Sequence, residues 1–361
     1  MLYNYLKVTL RNMARYKGYT FLNVAGLSVG LAVCFLLFLW VKDELSYDRF
    51  HENAGRMYRS VWKARFGENE WEIPQVPMPL AGTMAREFPE VEWVTQIFEG
   101  GFTLKKDDEW VREKNVLFVD EGFFKVFSVE AVAGNLSAAL EDPNTVLLTE
   151  DAARRYFGDS YRDDALGRTV RQNDGKDWHV GGVVKNWPEQ SHLKFDFLAP
   201  LKSLPHLEQR KEQWSSASCL TYFTLKNAAG APALHAKLQA WVDKHLMADK
   251  VWQQGGNYTS FPFHPVADIY LKPNRSYIWI FSITGIFILV VAGINFINLA
   301  TARALTRARE VGVRKALGST RPQLVRQFFG EALVYVLVSA VLAVLLAEAA
   351  LPFFNDLAAK T

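Results

Sequence analysis

Near the C-terminal end the chain reads GVRKALGST, Gly312 to Thr320, a basic and glycine-punctuated stretch that invites comparison with a phosphate-binding loop. Such a loop needs Gly, four residues, Gly, then Lys and Ser or Thr, so that backbone N–H groups and one ammonium converge on the phosphates. Here five residues separate Gly312 from Gly318, and Ser319 stands where the Lys is required. No strand pattern precedes the stretch, and nucleotide binding is therefore not expected in it.

Other chemistry fails on context. GLSVG, Gly26 to Gly30, matches a nucleophile elbow, but that motif needs a sharp strand-to-helix turn at an accessible pocket. Ser28 lies inside an uncharged run, where Gly26-x-x-x-Gly30 reads instead as small residues admitting a second helix. Asn295 and Asn298, in another apolar run, read as interhelical hydrogen-bonding groups. The seven histidines show no paired metal-ligand spacing, so no catalytic residue, metal site or cofactor is expected. The acidic cluster KKDDEW at Lys105 to Trp110 sits between strand patterns and reads as a solvated turn. The basic residues of 301–327 are explained by membrane orientation and anionic lipid before nucleic acid, which is not expected as a partner.

The elements that hold these residues are membrane helices. Residues 21–41 carry no charge over 21 positions, about 31 Å as a helix against a hydrocarbon core of about 30 Å. Residues 277–300 are likewise uncharged, and 328–351 are apolar apart from Glu331 and Glu348 near the two ends. The first run exceeds a signal peptide's apolar core and is followed by KDELSYD rather than small residues, so an uncleaved anchor is expected. Residues 1–42 hold five basic and no acidic side chains, and 301–327 hold seven basic side chains against Glu310 alone. Both segments, the basic N-terminal 1–20 and the 301–327 loop, are therefore expected inside. The intervening 42–276 and the tail 352–361 are expected outside; residues 43–275 carry 28 basic and 34 acidic groups, net −6.

The external insert is rich in Trp, Phe, Tyr and Val with turn signals between short runs, which predicts a folded α+β domain of two lobes rather than a tether. MYRSVWKARF alternates as one half-buried strand with Tyr58, Trp62 and Phe66 inward. A short helix is expected through Leu80, Met84 and Phe88. The strand NTVLL runs into a helix capped by Thr149 and stopped by Gly158. Further strands are expected at Trp178–Val184 and Leu220–Leu225, and a helix from Ala233 to Met247 presents Leu234, Leu238, Trp241 and His245 on one face. Cys34 and Cys219 fall in different compartments and are expected unpaired. In the loop, 303–317 suits a helix with Val313 and Leu317 on one face; Gly318 stops it, and Thr320, Pro322 and Gln323 start the next.

RAREVGVRKALGSTRPQLVRQFFGEALV, Arg307 to Val334, resembles the signature between the second and third membrane helices of the FtsX-like, MacB-type permeases of ABC transporters, with Val311 for Ile and Ser319 for Ala. NVAGLSVGLA at Asn23 to Ala32 is similar to that family's first helix. DELSYDRFHENAGRMYR, LLTEDAARRYFG and GVVKNWPEQSHLKFDF resemble its longer Bacteroidetes-type members. The resemblance implies an α-helical membrane protein of three transmembrane helices with a large, porter-like α+β periplasmic core domain, in the bacterial inner membrane. It implies that Arg309, Glu310, Gly312, Arg314, Lys315 and Gly318 face a separate cytoplasmic ABC ATPase, with no ATPase activity in this chain. It also implies a second permease copy or half, the lipid bilayer, and a periplasmic adaptor or envelope protein as partners. Closure of the ATPase pair would then move the external domain mechanically. Family members have a fourth membrane helix, so the chain reads as truncated, the front half of a tandem permease. The rival reading is a membrane-anchored receptor or sensor acting through a partner.

Overall fold

The computed structural model describes residues 9, 11–248, 256–302, 308, 311–313, 315–318, 320–358 and 360. They form two compact units, Ser46–Pro273 and the remainder, Met1–Leu45 with Asn274–Thr361.

The second of these holds three helices long and apolar enough to span a bilayer, Lys17–Glu44, Val266–Ala302 and Arg321–Ala358, the middle one beginning at the end of the other unit. Each extends beyond its apolar run because capping and turn chemistry, not hydropathy, sets where a helix ends. The third starts at Arg321 rather than 328 and runs through 352–358, residues expected to be a tail. Ala32 and Leu36 of the first helix pack on Ala343 and Ala347 of the third. Thr20 shares a 3.1 Å hydrogen bond with the Tyr335 hydroxyl, and the Lys360 ammonium lies 2.7 Å from both Asp43 and Glu44 at the end of the first helix.

Ser46–Pro273 is built on strands β1 (Met57–Ser60), β2 (Trp62–Phe66), β3 (Asn69–Ile73), β4 (Gln75–Val76), β5 (Val91–Lys106), β6 (Glu109–Val119) and β7 (Ala131–Gly134). They continue with β8 (Thr145–Thr149), β9 (Thr169–Arg171), β10 (Asp177–Val184), β11 (Phe197–Pro200), β12 (Cys219–Leu225), β13 (Tyr258–Ser260) and β14 (Phe263–Pro265). One sheet runs in the order β14-β1-β12-β5-β6-β11-β8-β10-β7, with β4 on β12 and β9 on β10; β13-β2-β3 form a second. The two lobes suggested by the sequence are thus joined by one continuous sheet, flanked by three aromatic-rich clusters. The pairs β8/β10 and β6/β11 are parallel and the rest antiparallel. Between β8 and β10 lies the helix Glu150–Phe157, whose Thr149 hydroxyl accepts the Ala152 N–H and whose Gly158 adopts φ +75°, as the local pattern predicts.

Two local expectations are corrected. MYRSVWKARF is not one strand: Val61, whose N–H donates to Pro262 O, separates β1 in the large sheet from β2 in the small one, and Phe66 at the hairpin tip is exposed. Period-2 alternation continues through such a break and so hides it. In the helix Ala231–His245 the buried face is Leu234, Leu238 and Val242, while His245 is exposed and stacks on Trp241. Both cysteines are free, and burial pushes the Cys219 thiol up to about 12.

Candidate functional site

Gly26 and Gly30 of the first membrane helix lie close to the second. A Cβ on Gly30 would sit 2.7 Å from the Ala292 Cβ of the second membrane helix, and one on Gly26 would sit 3.1 Å from the Asn295 amide nitrogen. Ser28, one residue pair away, is buried within the same uninterrupted helix and has none of the geometry of a nucleophile elbow. The Cys34 thiol donates to Gly285 O at 3.0 Å on the same interface.

Of the expected ATPase-facing residues, Arg309, Glu310 and Arg314 lie outside the described residues. Gly312, Lys315 and Gly318 lie within them, and all three are exposed. Val311–Val313 and Lys315–Ala316 are helical, and the Leu317 N–H donates to Val313 O at 3.0 Å. Val313 is 56% and Leu317 81% exposed, an i, i+4 apolar pair on one face with Lys315 beside it. The helix closes with Gly318 N–H donating to Lys315 O and Gly318 at φ +92°, a conformation that Cβ-bearing residues resist. Two residues on, the Gln323 side-chain oxygen accepts the Thr320 N–H at 3.1 Å, so a capping interaction begins the third membrane helix. The segment therefore turns from one helix to the next within Leu317–Arg321.

A second cluster, which no local pattern marks, lies in Ser46–Pro273. Asp48, fully buried and at φ +57°, donates its N–H to Gln190 O and accepts at Oδ1 from the Ser191 hydroxyl (2.9 Å) and the His192 N–H (3.1 Å). Its Oδ2 stands 2.8 Å from His192 Nδ1, while His192 Nε2 is 2.8 Å from the Tyr222 hydroxyl. Burial pushes the Tyr222 phenol up, against the Arg59 guanidinium beside it. His51 is 3% exposed; its ring packs against Phe50, Phe127 and Trp187, and its Nδ1 accepts the Ser128 N–H at 3.3 Å. The Glu52 N–H donates to the Ser128 hydroxyl, and the Asn53 amide donates to Lys125 O. These bonds join Ser46–Arg56, the stretch directly after the first helix in sequence, to the stretches around 125–128 and 187–192. Beside them opens a cleft of about 570 Å³ lined by Phe50, Phe127, Trp187, Lys125, Lys185 and Glu130.

Residues 20–241 match the family model of the MacB-like periplasmic core domain, and residues 282–360 match that of the FtsX-like permease C-terminal region. An uncharacterized ABC transporter permease of Bacillus subtilis, YvrN, is 23% identical over 369 residues, 94% of this chain and 85% of its own length. The macrolide export ATP-binding/permease protein MacB of Sodalis glossinidius is 21% identical over 248 residues, 68% of this chain but 36% of that protein. A solved domain of a Porphyromonas gingivalis protein described as a permease shares 23% identity and a TM-score of 0.52. It covers 60% of this chain and 92% of its own, a likeness of fold.

Proposed function

The chain belongs to the MacB/FtsX family of ABC transporter permeases, and on that footing we propose that it is the permease subunit that carries ATP-driven motion from a separate cytoplasmic ATPase to its periplasmic core domain. The observation that carries this reading is the uncovered Val313/Leu317 face, with Lys315 beside it, ending at Gly318 and followed at once by the capped start of a membrane helix. An apolar pair exposed on a short helix among cationic residues suits a partner that is partly apolar and partly acidic. Because the turn leads directly into a membrane helix, displacement of the docked helix would be passed to that membrane helix. The family is not a catalytic one, and we place ATP hydrolysis in the partner subunit.

In this arrangement residues 1–20 and 301–320 are cytoplasmic, Ser46–Pro273 is periplasmic, and the helices cross the inner membrane as part of a dimer of permease halves. Export, lipoprotein extraction and control of an envelope enzyme are the outputs that such motion serves. Purification of the chain from membranes of its host, with the accompanying ATP-binding subunit identified by mass spectrometry, tests the coupling. A variant carrying Arg314→Gln, Lys315→Gln and Leu317→Gln is expected to lose that subunit while inserting normally; equal recovery would overturn the assignment. Topology is tested separately with single cysteines at Lys176 and Arg309. An impermeant reagent is expected to label the first more strongly, and stronger labelling at Arg309 would reverse the orientation.

A further inference from the structure

A buried histidine, His51, and a half-buried one, His192, act on one buried carboxylate, Asp48, where Ser46–Arg56 meets the core of Ser46–Pro273. We propose that this cluster is a pH-operated latch: protonation of His51 breaks its bond to Ser128 and frees Ser46–Arg56 from the 125–128 and 187–192 stretches. The latch follows from the fold alone; that its acid would come from outside the cell rests on the topology proposed above.

The geometry fixes the tautomer. Nδ1 of His51 accepts a backbone N–H, so the ring proton sits on Nε2, which has no hydrogen-bond partner among the described residues. An imidazolium carries a proton on both nitrogens. Protonation therefore sets two donors, His51 Nδ1–H and Ser128 N–H, against each other, and leaves a cation caged by Phe50, Phe127 and Trp187. The groups acting on the ring are Asp48 from its own stretch, which favours the charge, and His192 from the opposite stretch, which opposes it. Phe127 and Ser128 on the third side bring no charge, and Lys125, Lys185, Glu52 and Glu130 line the adjoining cleft. Asp48 Oδ1 holds the Ser191 hydroxyl and the His192 N–H, and its Oδ2 stands 2.8 Å from His192 Nδ1.

The sign follows from those contacts. Burial, opposed by Asp48 and reinforced by His192, lowers His51 from 6.5 to about 4. Above pH 6.5 both the latched and the released histidine are neutral, and pH has no leverage. As the pH falls below 6.5 the released histidine takes up a proton that the latched one refuses until about 4, so acid favours release, and the gain is complete near pH 4. At pH 5 the population released should exceed that at pH 7.5 on the order of 30-fold.

Hydrogen exchange on the full-length chain in detergent or nanodiscs, corrected for the intrinsic pH dependence of amide exchange, reads this directly. Peptides carrying Asp48, Glu52, Ser128 and His192 are expected to gain exchange on the order of 30-fold between pH 7.5 and 5. Peptides from β8 are expected to hold. His51→Phe, which keeps a ring but removes the titration, is expected to abolish the pH dependence. If His51→Phe fails to protect β8 at pH 7.5, the imidazole carbon shifts of the wild-type protein decide: a His51 ring titrating near 4 supports the latch. A ring titrating near 6.5, a uniform rise across Ser46–Pro273, or an unchanged pH dependence in a folded His51→Phe would overturn it.

Discussion

Two connecting stretches treat their polar and apolar groups in opposite ways. Ser46–Arg56 turns inward: Asp48 and His51 are buried, and their hydrogen bonds end on atoms of the same domain. Val311–Thr320 turns outward: among the described residues its apolar pair lies open, Gly318 is left-handed in empty space, and Lys315 is exposed. The first stretch makes buried hydrogen bonds within its own domain, whereas among the described residues the second leaves its apolar pair uncovered. An apolar and basic surface left open at a helix-to-helix turn is what the proposed docking of a partner subunit would cover.

If that contrast holds, breaking the inward junction should cost the most. Asp48→Ala removes the acceptor for Ser191 and His192 and places alanine at φ +57°, so Ser46–Pro273 is expected to lose about 4 kcal/mol of stability, read as a lowered denaturation midpoint of its tryptophan fluorescence. Next comes the glycine packed in the membrane. Gly30→Leu drives side-chain atoms into Ala292, and a loss of about 1–3 kcal/mol in an SDS titration is expected, whereas Gly293→Ala, with open space around it, should be neutral.

Smaller effects are expected in the outward stretch, because little of the chain rests on it. Gly318→Val forces a β-branched residue to φ +92° at a cost of about 1–2 kcal/mol, seen as roughly tenfold faster amide exchange over Leu317–Leu324 with β8 unchanged. Gln323→Ala removes only the capping acceptor for Thr320 N–H, about 0.5–1 kcal/mol confined to the first turn of the third membrane helix. A Gln323→Ala change as damaging as Asp48→Ala would erase the contrast between the two stretches.

What the sequence made legible was whatever is encoded locally. Gly26 and Gly30 four apart in an uncharged run, Thr149 before a helix, and Gly318, Thr320 and Gln323 at a helix-to-helix turn each declare their geometry within a few positions. The break at Val61 was hidden because alternation says nothing about which sheet a strand joins. The bonding of Asp48 to Ser191 and His192 was hidden for a different reason: the partners are more than 140 residues apart, and the stretches meet only through the folded sheet that runs from β1 to β10. Both halves of that cluster fall within stretches that resemble the longer permeases, DELSYDRFHENAGRMYR and GVVKNWPEQSHLKFDF, yet nothing in either stretch names the other as its partner.

The outward stretch carries the central claim, and site-specific photo-cross-linking in the membranes of the host tests it most directly. A photoreactive residue is placed at Leu317 in one variant and at the exposed Leu337 of the third membrane helix in another. Leu317 is expected to yield an adduct with a protein containing a nucleotide-binding P-loop, lost when Arg314 and Lys315 are replaced by Gln, while Leu337 yields none. No such adduct from Leu317, or the same adduct from both positions, would contradict docking of an ATPase on this turn.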